Sequence, residues 1–118
     1  MFLRKKIFFN YWVPANVFVT LFSCILTFII NPGIIYSDKK SNEKIYCREC
    51  QFLYPKSNIK MDHCFTCRIC VCNYDHHCDV IGKCIGKYNT ALFLLFVLST
   101  FSFIFSFASV LFNLLQLK

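Results

Sequence analysis

Residues 63–84 read His63-Cys64-Phe65-Thr66-Cys67-Arg68-Ile69-Cys70-Val71-Cys72-Asn73-Tyr74-Asp75-His76-His77-Cys78-Asp79-Val80-Ile81-Gly82-Lys83-Cys84, and the pair Cys47-Arg48-Glu49-Cys50 lies upstream. From Cys47 to Cys84 there are eight cysteines and three histidines, eleven donors suited to zinc. Two closed four-ligand sites use eight of the eleven and leave three over. A lone C-x-x-C would equally be a redox pair, but repeats at this density beside histidine read as metal knuckles. The chain has nine cysteines in all, an odd number that excludes complete internal disulfide pairing and points to a reducing compartment. Residues 34–90 hold too few apolar side chains for an ordinary core, and bound metal supplies what the core lacks.

The flanks are different. Tyr11 to Ile30 is a run of 20 residues without a charge, about the length a ~30 Å hydrocarbon core requires at ~1.5 Å per residue. Pro14 sits in its first turn, Tyr11 and Trp12 suit an interfacial belt, and Asn31-Pro32-Gly33 ends it. A cleaved signal peptide is the competing reading, since Arg4, Lys5 and Lys6 precede the run. The run exceeds a usual h-region, however, and no small-x-small site follows it. Ala91 to Leu115 is a second uncharged run of 25 residues, rich in Phe. Its Ser99, Thr100, Ser102, Ser106, Ser109 and Asn113 suit either hydrogen bonding to a neighbouring helix or a plain lipid-facing surface.

The predicted architecture is an α-helical integral membrane protein. It has a basic segment (1–10), a transmembrane helix (11–30), a cytosolic cysteine-rich zinc domain of short hairpins (31–90), a second transmembrane helix (91–115) and a tail (116–118). A composition of 57% hydrophobic and 19% aromatic residues, with mean hydropathy +0.51, agrees with this. Net charge is +7. In a chain tethered to a bilayer on both sides, that balance fits an anionic membrane surface or a phosphate-bearing substrate, not nucleic acid. Nine of the thirteen Lys and Arg lie between residues 34 and 90, which argues for a cytosolic loop. Both termini then lie on the far side, against the pull of Arg4, Lys5 and Lys6.

Asp75-His76-His77-Cys78 carries the chemistry. In an extended segment side chains alternate, so His76 and Cys78 share one face and His77 takes the other. One face feeds metal, while the other sets an imidazole near a thiol. A cysteine is a nucleophile as thiolate, a histidine takes its proton, and a carboxylate orients the imidazole. Asp75, His76 and Cys78 thus supply orienter, base and nucleophile. The alternative is that all four residues are ligands or linkers of a structural finger.

At these residues the chain resembles the DHHC family of protein S-acyltransferases (palmitoyltransferases). The resemblance rests on Cys70-Val71, Asp75-His76-His77-Cys78, Cys84-Ile85-Gly86, Asn89 and Phe93, all in the family's register. Asn31-Pro32-Gly33 is similar to its Asp-Pro-Gly motif, and the likeness covers about residues 11–115. It implies one zinc on Cys47, Cys50, His63 and Cys70, and a second on Cys64, Cys67, His77 and Cys84. Cys78 is implied as nucleophile, His76 as base and Asp75 as its support. Cys72 is surplus, and Cys24 packs within a span. The implied reaction moves a palmitoyl group from acyl-CoA through acyl-Cys78 to cysteines of membrane-associated substrate proteins. Lys83 and Lys87 suit the CoA phosphates, or else a solvated or headgroup-facing surface. The implied location is an endomembrane (Golgi or ER) or the plasma membrane.

The chain also departs from the pattern. Asp79-Val80 follows Cys78 where the family usually has Pro-Trp, and an acid beside a thiol disfavours the thiolate. Lys83 stands where Asn is usual, the stretch from Cys50 to His63 is longer, and Thr-Thr-x-Glu is missing. Two spans appear where most members have four, which fits a short or truncated member and makes a second subunit a candidate partner. These departures favour the other reading, a non-catalytic membrane-anchored zinc module that serves as a pseudoenzyme or assembly partner.

Overall fold

The computed structural model describes residues 11–35, 44–55 and 60–116. The basic segment 1–10, with Arg4, Lys5 and Lys6, lies outside the described residues, as does 117–118 of the tail. In chain order the elements are α1 (Val13–Ile29), β1 (Lys44–Cys47), β2 (Phe52–Pro55), β3 (Met61–Cys64), β4 (Ile69–Cys72), β5 (His76–Cys78), β6 (Lys83–Ile85) and α2 (Thr90–Gln116). They belong to two compact units, one of residues 1–25 with 92–118, the other Leu26–Ala91.

α2 contains one stretch long and apolar enough to cross a membrane, Thr90–Phe112, with mean hydropathy 2.3. α1 is apolar but has 17 residues, or about 25 Å at ~1.5 Å per residue, short of a ~30 Å core. Of the two expected spans, one is thus long and apolar enough to cross a membrane among the described residues, and the other is a shorter apolar helix. The local chemistry explains why α1 stops. Ile30 still donates to Leu26 O at 2.9 Å. The Asn31 side chain then captures the Gly33 and Ile34 N–H groups at 2.9 and 2.8 Å, and Pro32 has no N–H to give.

In the unit of residues 1–25 and 92–118, polar side chains of the two helices meet. Trp12 Nε1 donates to Ser106 Oγ at 3.3 Å, and Asn16 Nδ2 donates to Ser102 Oγ at 3.1 Å. Phe18, Phe22, Leu98, Phe101 and Phe105 are exposed. Polar contacts between helices with large apolar groups outside suit a lipid solvent.

The unit Leu26–Ala91 is built from three antiparallel hairpins, β1–β2, β3–β4 and β5–β6. Their four-residue turns close on a left-handed residue, Gln51 (φ 55°), Arg68 (φ 56°) and Gly82 (φ 68°). Val71 and Ile85 are fully buried. The segment after α1 pairs with β4 through the Ile34–Val71 bridge and the Cys72 N–H to Gly33 O bond of 2.9 Å. Gly86 is glycine for space. A Cβ there would lie 2.6 Å from both Pro32 O and Val71 Cγ1.

Candidate functional site

The hairpins make metal half-sites in two ways. The first is the knuckle. Cys47 ends β1 and Cys50 sits in the turn after it, so the Cys50 N–H reaches back to Cys47 Sγ at 3.5 Å. Cys64 and Cys67 repeat this after β3, with the Cys67 N–H at 3.4 Å from Cys64 Sγ. The second is a cross-strand pair. His63 stands opposite Cys70, and His77 opposite Cys84.

One knuckle meets the next hairpin's pair in each cluster. Cys47, Cys50, His63 and Cys70 gather with all ligand atoms within 4.8 Å of one another, and so do Cys64, Cys67, His77 and Cys84. These are the quartets that the resemblance implies. His63 Nδ1 lies 3.7 Å from Cys47 Sγ, 3.2 Å from Cys50 Sγ and 3.7 Å from Cys70 Sγ. His77 Nδ1 lies 3.8, 3.2 and 3.8 Å from the sulfurs of Cys64, Cys67 and Cys84. A tetrahedral zinc with ordinary bond lengths separates such ligands by about 3.5–3.8 Å.

Protonation in the second cluster also fits a cation. Burial pushes the Cys64 thiol up, but the Cys67 N–H and the Cys84 and Tyr74 side chains outweigh it and bring it to about 6. Cys84 is pushed far up, first by burial and then by the Cys64 and Cys67 thiols. The Cys64 thiolate thus forms at the expense of Cys84 unless positive charge is supplied. Both clusters can hold a zinc ion. Tyr74 is raised to about 12 by burial and by Cys64 beside it, so its hydroxyl stays a donor to that sulfur.

The third hairpin repeats the second with one change. His63-Cys64-x2-Cys67-x2-Cys70 recurs fourteen residues later as His77-Cys78-x2-Ile81-x2-Cys84. Cys78 ends β5 as Cys64 ends β3, and the Gly82 N–H bonds to Cys78 O at 2.8 Å. Ile81, buried, occupies the place of the second knuckle cysteine. Cys78 therefore has the position of a ligand but lies outside both clusters, half-exposed.

His76 and Cys78 share a strand face on β5, while His77, between them, turns to the second cluster. Asp75 Oδ2 lies 3.3 Å from His76 Nδ1. Asp79, the unexpected acid, is almost wholly exposed, with Oδ1 3.7 Å from His77 Nε2. The imidazole it meets there is that of His77, a member of the second cluster.

The two lysines differ. Lys87, with Lys60, Asn73, Tyr74, Asp75 and Thr90, lines a cleft of about 410 Å³. Lys83 does not face that cleft. Its Nζ donates to the carbonyls of Phe28 and Ile30 at 2.5 and 2.9 Å. Of the two lysines expected to suit CoA phosphates, Lys87 therefore lines the cleft, while the Lys83 ammonium meets carbonyls at the end of α1.

Asn89 was visible as part of a motif, but its task was not. Buried, it accepts from the Gly86 N–H at 2.9 Å and donates to Cys84 O at 3.0 Å. Ile81 gave no chemical signal of its own. The fourteen-residue repeat would have found it.

Comparison with known proteins gives a consistent picture. The family model described as DHHC palmitoyltransferase matches residues 40–117. Palmitoyltransferase pfa3 of Aspergillus fumigatus is 40% identical over 65 residues, covering 55% of this chain and 11% of its own length. Palmitoyltransferase ZDHHC14 of Homo sapiens is 40% identical over 67 residues (56% and 13%), and palmitoyltransferase ZDHHC9 of Bos taurus is 43% identical over 54 residues (46% and 14%). The chain thus spans only a small part of the length of the curated relatives it matches.

Proposed function

The chain belongs to the DHHC palmitoyltransferase family, and on that premise we propose that it is a protein S-acyltransferase working through an acyl-Cys78 intermediate. The observation that carries the reading is the placement of Cys78. It holds a knuckle position outside both donor clusters, on one strand face with His76, which Asp75 meets at 3.3 Å.

His76 takes the Cys78 proton, and the thiolate attacks the thioester carbonyl of a palmitoyl-CoA. The carbon–sulfur bond to CoA breaks, and the proton returns to the departing CoA sulfur. An acceptor cysteine of a membrane-associated protein then gives its proton to His76 and attacks acyl-Cys78, which leaves as thiolate. Asp75 keeps Nδ1 of His76 engaged so that the other ring nitrogen faces the thiol. Zinc in the two clusters is structural and fixes the hairpins. Lys87 and Lys60 give their cleft a positive edge for the CoA phosphates. α2 anchors the chain in an endomembrane or the plasma membrane, with the zinc-binding unit facing the cytosol.

A non-catalytic module that assists another acyltransferase is the second reading, favoured by Asp79-Val80 after Cys78. Single-turnover mixing of the detergent-solubilised protein with palmitoyl-CoA separates the two. The enzyme releases one CoA per chain in a burst and passes the acyl group to a cysteine peptide. A chain with two bound zincs that releases no CoA is the module.

A further inference from the structure

The last carbonyls of a helix lack intrahelical donors and need partners. In α1 this need is acute, and it follows from Asn31-Pro32-Gly33. The donor that would continue the helix to Phe28 O belongs to Pro32, which has none. The donors due to Ile29 O and Ile30 O are the Gly33 and Ile34 N–H groups, and the Asn31 side chain has captured both. One side chain serves all three carbonyls. Lys83 Nζ lies 2.5 Å from Phe28 O, 3.5 Å from Ile29 O and 2.9 Å from Ile30 O, and 5.8 Å from the centre of the Phe28 ring. The preceding carbonyl, Thr27 O, accepts from Asn89 Nδ2 at 3.4 Å.

Lys83 is also the residue paired with Cys78 across the third hairpin. The strand partner of the candidate nucleophile is thus bolted to the carboxyl end of an apolar helix. A cation is the right group there, since the helix dipole leaves negative charge at that end, and an ammonium offers three donors to three acceptors.

We propose that Lys83 is a positioning residue that fixes Cys78 against the carboxyl end of α1, setting where the thiol meets an acyl thioester. The proposal rests on the acyl-transfer reading for its catalytic consequence, but its geometric content stands apart from it. Lys83→Met keeps most of the side chain's length and removes the donors, whereas Lys83→Arg retains charge and donors.

Two measurements test it, each made on the whole protein in liposomes and on variants that retain two zincs per chain. The first is kinetic. Lys83→Met should lower the rate of acyl-Cys78 formation at saturating palmitoyl-CoA by about 10- to 100-fold, as misplacement by an ångström does. KM should change less than about twofold, and Lys83→Arg should recover much of the rate. A raised KM with kcat unchanged, sensitive to salt, would overturn the proposal and make Lys83 a phosphate ligand. The second needs no catalysis. The rates at which a long-chain alkyl maleimide and a small polar maleimide label Cys78 are compared, with Cys78→Ser as the blank. Their ratio should change severalfold in Lys83→Met. An unchanged ratio defeats the positioning claim even if the protein proves not to be an enzyme. A changed ratio in a protein that forms no acyl-Cys78 upholds the geometry and removes only the catalytic reading.

Discussion

The second and third hairpins share one frame and do opposite things with it. In β3–β4 both the knuckle and the cross-strand pair go to the metal clusters, and Cys72 at the end of β4 lies outside them. The knuckle Cys64 and Cys67 faces one cluster, and the pair His63 and Cys70 completes the other. In β5–β6 the pair His77 and Cys84 is spent in the same way, but the knuckle is Cys78 and Ile81, and among the described residues no further hairpin supplies it with a second pair. Metal in this unit joins a knuckle to the next hairpin, so the last knuckle is left over. A thiol held with the rigidity of a zinc ligand, yet free of zinc, is a useful starting point for a nucleophile.

The sharpest way to break the comparison is to exchange the fates of the two knuckle cysteines. Cys64→Ser should lose the second zinc and unfold the hairpins, because structural zinc contributes on the order of 10 kcal/mol. Melting of the purified variant and metal analysis would show both. Cys78→Ser should keep two zincs and the wild-type melting temperature while losing acyl labelling entirely. Retained labelling there would move the nucleophile elsewhere. His76→Ala comes next, with labelling about 10²- to 10⁴-fold slower at neutral pH and metal content unchanged.

Ile81→Cys restores the missing knuckle partner and makes the third hairpin resemble the second. Micromolar zinc or cadmium should then inhibit Cys78 labelling severalfold in the variant and not in the wild type, with a modest loss of stability of about 1–3 kcal/mol from the emptied apolar site. Equal sensitivity of both proteins would deny that Ile81 keeps Cys78 clear of metal. The smallest effect belongs to Asp79→Asn. An acid this exposed, 3.7 Å from His77, should alter zinc retention by no more than about threefold against a competing chelator.

Much of the metal chemistry was legible because ligand type and short spacing are local facts. The C-x-x-C pairs mark knuckles, and the alternation of His76, His77 and Cys78 along a strand separates metal face from thiol face. The quartets themselves were implied by resemblance, since spacing alone does not say which knuckle joins which pair. The structure gathers the same quartets through the register His63–Cys70 and His77–Cys84. The helix expected to end at Asn31-Pro32-Gly33 stops at Ile29, where Pro32 brings no donor and the Asn31 side chain takes the next two. The contacts of Lys83 were not legible in the sequence. A lysine in a basic segment looks solvated, and only tertiary structure reveals carbonyls fifty residues earlier in the chain that lack donors. Asn89 likewise takes its meaning from its partners, the Gly86 N–H and the Cys84 and Thr27 carbonyls.

The most direct test of the central claim is mass analysis of the intact zinc-loaded protein after brief exposure to palmitoyl-CoA, followed by proteolysis to locate the acyl group. The account predicts two zincs per chain and one hydroxylamine-labile palmitoyl group, on Cys78 and not on Cys64, Cys67, Cys72 or Cys84. Acylation of any of those cysteines in preference to Cys78, or a third zinc bound through Cys78, would contradict it.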